Sequence, residues 1–188
     1  MEPLDILEAA RADFSERLTA VGPDQWDFPS LCGDWTVRDL ALHLVRGNTM
    51  AALLLAATSR DDTIAAMRAI EAGDLVAQFD DSADRQAAAF AEPGAFECLC
   101  HHPVGDMPGT QLFGFRVCDM GLHAWDLSRA IGADDRLRPE VVEVAWESLS
   151  PMAPIIGETG VFGTGPSGSV PDDASLQVRV LDLSGRRP

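Results

Sequence analysis

Apolar positions Leu4, Leu7, Phe14 and Leu18 recur at helical spacing, with acids early in the segment and Arg11 and Arg17 later, so residues 3–20 predict a first helix. Residues 21–35 are dense in Gly, Pro and Asp and carry Trp26, Phe28 and Trp35, which reads as an ordered loop pinned by aromatics. Thr36 and Asp39 form a T-x-x-D arrangement of capping-box type and should open a second helix running to about residue 58. Further helices are expected over 61–72 and 74–91. Pro93-Gly94 then breaks the pattern, and 95–109 reads as an extended connection. Helical spacing returns from 110 to 131, with Gly132 where a C′ glycine belongs, and Pro139 opens another helix to about Leu149. Residues 157–173 hold five Gly and two Pro and read as a partly mobile loop; the alternation over 174–184, within a tail of 174–188, favours no element. The sum is one all-α domain spanning 1–188, an antiparallel four-helix bundle with an extra helix and a short extended connection. Its four tryptophans, Trp26, Trp35, Trp125 and Trp146, should be mostly packed.

Polar residues interrupt two of the inward faces. On the second helix Leu40, His43, Gly47, Met50 and Leu54 form one stripe, which turns His43 toward the core. On the helix at 110–131, Asp119 and His123 are four residues apart and share a face with Leu112, Phe115 and Leu122. A carboxylate and two imidazoles inside a bundle are costly unless paired or bound to metal, and this set suits Zn²⁺, Ni²⁺ or Fe²⁺ with open positions left over. The same pattern also accommodates a satisfied core histidine at 43 and a hydrogen-bonded pair at 119 and 123. Asp126, one turn beyond His123, is placed either to orient an imidazole or to face solvent. Cys98, Cys100, His101 and His102 form the densest soft-ligand cluster, but an extended chain spreads Cys98 and His102 by roughly 13 Å, so no site is expected there. No nucleophile elbow, phosphate loop, dinucleotide fingerprint or HExxH is present; GTGPSG at 163–168 lacks the strand-turn-helix context and reads as a loop.

Charge narrows the partners. Fourteen basic residues against thirty acidic ones give a net charge of -16, which repels nucleic acid and anionic lipid. Every basic residue is Arg, which removes Schiff-base and P-loop lysine chemistry. The apolar run from Met50 to Ala57 is far short of the roughly 20 residues needed to cross a bilayer, and acids at 2, 5 and 8 do not suit a signal peptide. The expected compartment is therefore the cytoplasm, where Cys32, Cys98, Cys100 and Cys118 would be small, reduced, buried hydrophobes. A homodimer stays open.

The string W-x-x-P-S-L-C-G-D-W-T-V-R-D-L-A-L-H-L-V from Trp26 to Val45, followed by D-M-G-L-H-A-W-D-L-S-R-A-I-G from Asp119 to Gly132, resembles the mycothiol-dependent maleylpyruvate isomerase N-terminal family within the DinB/YfiT-like superfamily. The V-P-D-D segment (Val170 to Asp173) and the G-R-x-P tail (Gly185 to Pro188) resemble its short, single-domain metal-binding branch. The resemblance implies a DinB-like four-helix bundle with a divalent metal, usually zinc, held by His43, Asp119 and His123. It also implies mycothiol as a thiol cosubstrate for an electrophilic small molecule, in a transferase or isomerase. Arg46 and Arg116, each within a turn of a ligand residue, are the candidates for holding carboxylates of thiol or substrate. The isomerase carries Glu where this chain has Asp119, and it has a second, C-terminal domain for which this chain is too short, so maleylpyruvate isomerisation itself is not carried over. Metal-activated hydrolysis or lysis without a thiol, and non-catalytic metal or ligand binding, are the alternatives.

Overall fold

Asp39 Oδ2 accepts from the Thr36 backbone N–H at 3.0 Å while Thr36 Oγ1 accepts from the Asp39 N–H at 3.2 Å, so the capping box forms and α2 runs Val37–Leu55. The structure, a computed structural model, describes residues 1–158 and 165–188. Helix α1 spans Pro3–Thr19, α3 Arg60–Arg68, α4 Leu75–Ala91, α5 Gly109–Ile131 and α6 Pro139–Leu149. The second helix stops three residues before the expected end because Ala57 turns left-handed (φ 58°) and Ser59 then caps α3, accepting from the Asp62 N–H. Helix α3 also ends early, with Ala69 as its C-cap. The extended connection is a small antiparallel hairpin, β1 Leu99–His102 with β2 Gly105–Pro108, in register Leu99 to Pro108.

Two elements depart from expectation. The ambiguous segment 174–184 contains a helix, α7 Leu176–Leu183, opened by Ser175 and buried at Val180, Leu181 and Leu183. Trp35 is 38% exposed, whereas Trp125 is buried and Trp26 and Trp146 are half-buried. Of the glycine-rich stretch at 157–173, residues 159–164 lie outside the described residues, and with them the start of GTGPSG.

Helices α1, α2, α4 and α5 pack against one another around Phe14, Leu40, Leu44, Phe79 and Phe90. The Phe14 and Phe79 rings meet at 4.8 Å. Helix α5 is apolar on two sides: its second side packs with α6 and α7 in a cluster of Leu122, Trp125, Val142, Leu149 and Leu181. Gly114 and Gly121, two turns apart, permit that approach, since a Cβ would stand 2.6 Å from Ser148 Oγ at the first and 2.6 Å from Val141 Cγ1 at the second. This central helix therefore carries both its own polar residues and the layer that brings the C-terminus to them. Among the described residues no helix is long and apolar enough to cross a membrane.

Candidate metal centre

His43 on α2 and His123 on α5 both direct Nε2 at one oxygen of Asp119, Oδ1, at 3.2 and 3.3 Å. All three donor atoms lie within 4.8 Å of one another. Ligand bonds of about 2.0–2.1 Å in a tetrahedral zinc site place neighbouring donors about 3.3–3.4 Å apart, so two edges here match a first-row divalent ion. The donor set fits such an ion in kind as well as in spacing: two imidazole nitrogens and one carboxylate oxygen. His43 is 37% exposed, which leaves one side of the cluster open.

Asp119 is held from behind. Its second oxygen accepts from Arg116 Nη1 at 2.6 Å, and the buried Arg116 guanidinium spends its other nitrogens on Gln86 Oε1 (2.9 Å) and Asn48 Oδ1 (2.8 Å). Arg116 is 3% exposed with each nitrogen engaged, so the residue considered above for ligand carboxylates holds Asp119 instead. Arg46, the other candidate, gives Nη2 to the Ile70 carbonyl beyond α3 at 2.7 Å, tying α2 to that connection. Burial pushes the Asp119 carboxyl up, but the charges of His43 and Arg116 and hydrogen bonds from both imidazoles outweigh it and hold it well below the usual range.

Gly47 makes room for this guanidinium. A Cβ there would meet Arg116 Nη1 at 2.3 Å and Cζ at 2.8 Å, and three protein acceptors prevent Arg116 from stepping aside. Gly47→Ala is accordingly expected to lose about 1–3 kcal/mol by overpacking, read from urea unfolding. A variant as stable as the parent would show that the guanidinium can shift.

His123 is gripped at its other nitrogen, where Nδ1 faces Asp126 Oδ2 at 2.9 Å. Asp126 is 1% exposed, so of its two earlier readings it takes the orienting one rather than the solvated one. Arg186, from the tail, makes a two-pronged contact to it, Nε to Oδ1 at 2.8 Å and Nη2 to Oδ2 at 2.5 Å. Burial raises the Asp126 carboxyl, and the His123 hydrogen bond with the Arg186 charge more than reverses this, to about 2. For His123, burial favours the neutral ring, but hydrogen bonds to Asp119, Asp126 and Cys32 raise it well above the ordinary imidazole value.

Cys32 is the residue whose role the sequence hid. Read as a buried hydrophobe, it is half-buried and donates from Sγ to Asp126 Oδ2 at 2.9 Å, with His123 Nδ1 3.6 Å away. Its loop explains the placement: Ser30 N–H and Oγ both reach the Trp35 carbonyl, Val37 N–H reaches Phe28, and Leu31 and Gly33 adopt positive φ. The resulting lobe sets Trp35 against the His43 ring at 4.8 Å and Cys32 against Asp126. Cys32, His123 and Asp126 form a second donor trio, yet the paired Arg186 charge opposes a cation there.

Among the described residues no donor trio draws on the Cys98–His102 segment, although His102 lies close enough to Arg116 and Asp119 to feel their charges. The Cys98 and Cys100 sulfurs approach to 3.7 Å, His101 pairs with Asp106 at 3.1 Å, and the His102 ring accepts from the Val104 N–H. Burial, with the neighbouring thiol, pushes Cys100 up to about 12, and burial does the same to Cys118. Both are protonated thiols at neutral pH.

Comparison with known proteins agrees with this architecture. Residues 7–128 match the family described as the mycothiol maleylpyruvate isomerase N-terminal domain. An uncharacterised protein of Mycobacterium tuberculosis is 33% identical over 161 residues, covering 84% of this chain and 81% of that one. Among solved structures, the mycothiol-dependent maleylpyruvate isomerase superposes with a TM-score of 0.62 at 17% identity, over 80% of this chain and 71% of the isomerase. A point mutant of that isomerase gives 0.56 at 16% identity, over 76% and 66%.

Proposed function

Because this chain belongs to the mycothiol maleylpyruvate isomerase N-terminal domain family, we propose that His43, Asp119 and His123 hold one divalent ion, zinc before nickel or iron, and that the site activates a small thiol toward an electrophile. The observation that carries this reading is the convergence of His43 Nε2 and His123 Nε2 on Asp119 Oδ1 at coordination-like spacing. A bound ion would hold a thiol as its thiolate near neutral pH, which is the reactive form. The protein's part is geometric. Arg116 turns one carboxylate oxygen outward by occupying the other, Asp126 fixes the His123 ring, and Trp35 covers one side of His43. The half-exposed faces of His43 and Trp35 are the approach for the thiol and its partner. The family description supports mycothiol as that thiol and a thiol-dependent isomerase as the reaction class, with a transferase as the other reaction that the same activated thiol would serve.

The test is spectroscopic. Protein loaded with Co²⁺ is titrated with mycothiol and, separately, with a simple thiol. A saturable sulfur-to-cobalt charge-transfer band with mycothiol, absent in His123→Ala, is the expected result. Stoichiometric Co²⁺ binding with no such band would favour metal-water chemistry or a plain binding role and would remove thiol activation.

A further inference from the structure

We propose that Arg186 of the C-terminal tail is a positioning residue for His123, acting through Asp126, so that α7 and the residues after it complete the site. The inference rests on the reading of His123 as a metal ligand.

Arg186 is brought there by construction. Helix α7 buries Val180, Leu181 and Leu183 against the α5–α6 layer, and Gly185 (φ 80°) reverses the chain, with the Arg186 backbone N–H on the Leu181 carbonyl at 2.9 Å. That turn sends the side chain back under α5, where its guanidinium is largely buried and spans both oxygens of Asp126. Asp126 Oδ2 then receives Arg186 Nη2, Cys32 Sγ and His123 Nδ1 together. A lone aspartate has free rotation about its last bond; a two-pronged guanidinium fixes the carboxylate plane and hence the direction in which His123 Nδ1–H must point. With Nδ1 so committed, Nε2 faces Asp119 and His43. Removing the guanidinium frees the carboxylate plane and opens a path for water to the Nδ1 side of the ring.

The experiment compares wild type, Arg186→Ala and Arg186→Gln, the last keeping most of the length without charge. Two quantities are read: solvent exchange of the His123 Nδ1 proton in ¹⁵N-histidine-labelled metal-free protein, and the Zn²⁺ dissociation constant by competition. Arg186→Ala should speed that exchange by about tenfold or more and weaken Zn²⁺ by about 10–100-fold, the usual effect of losing an outer partner of a ligand. Circular dichroism should show the helical signal retained. If Arg186→Ala fails to fold, Arg186→Gln is judged by the same criteria. Exchange within twofold of wild type in the folded variant would overturn the proposal, whatever the metal result. Failure of wild type to bind Zn²⁺ would instead defeat the metal reading, while the proton measurement would still decide the role of Arg186.

Discussion

Alanine at His43, Asp119 or His123 is expected to weaken divalent-metal binding by about a hundredfold to a thousandfold. Structural zinc sites bind with about 10–16 kcal/mol shared among four ligands, so one donor is worth about 2.5–4 kcal/mol. These side chains supply the three converging donor atoms, and the remaining pair cannot replace the missing one from across the cluster. Elemental analysis and competition titration of protein made without a histidine tag provide the measurement, and equal metal content in wild type and all three variants would refute the site. Binding should also depend on pH in a definite sense. Metal-free His123 keeps its proton well above the ordinary value, and coordination at Nε2 must displace it. Apparent affinity should therefore fall about tenfold for each unit by which pH drops below that raised value. Asp119, held well below the carboxylate range, adds no dependence near neutrality.

Arg116→Ala is expected to destabilise the fold by about 3 kcal/mol, since it leaves one side of a buried ion pair without its partner. The loss is shared: Asp119 Oδ2, Asn48 Oδ1 and Gln86 Oε1 each give up a charged donor. Because Asn48 and Gln86 sit on α2 and α4, the guanidinium ties both helices to α5 as well as holding Asp119. Urea unfolding of metal-free protein separates this from any effect on metal. A change below about 0.5 kcal/mol would mean that water replaces the guanidinium at all three acceptors. Arg116→Lys should recover only part of the loss, because one ammonium cannot satisfy three acceptors fixed in the plane of a guanidinium.

That His43, Asp119 and His123 face inward is legible in the sequence, because each lies on an apolar stripe of its own helix and helical period translates spacing directly into direction; that the three belong together is only what the family resemblance implies. The same test applied to α4 would have drawn attention to Gln86, which follows Phe79 by seven residues on the buried face, and on α2 to Asn48. Cys32 gave no comparable signal. It lies in a loop without periodicity, and its direction depends on a positive φ at Leu31 and on hydrogen bonds across the lobe. Arg116 was legible as a neighbour of Asp119, but a residue one turn from a ligand can face outward to a substrate or inward to the carboxylate; the inward choice depends on acceptors from α2 and α4 and on the space left by Gly47.

Local chemistry along the chain thus settled the helices, the capping box at Thr36, the break at Pro93-Gly94 and the glycine stop at 132, since each is decided within one or two turns of backbone. Helix α7 was different: eight residues with little intrinsic preference become helical because Val180, Leu181 and Leu183 have α5 and α6 to pack against. Arg186 follows from it. Its pairing with Asp126 joins residues 60 positions apart, and such a contact exists only after two core layers have formed and the chain has turned back at Gly185. Periodicity reports which way a residue faces on its own helix; which partner meets it there is fixed by packing between helices, and that is decided in three dimensions.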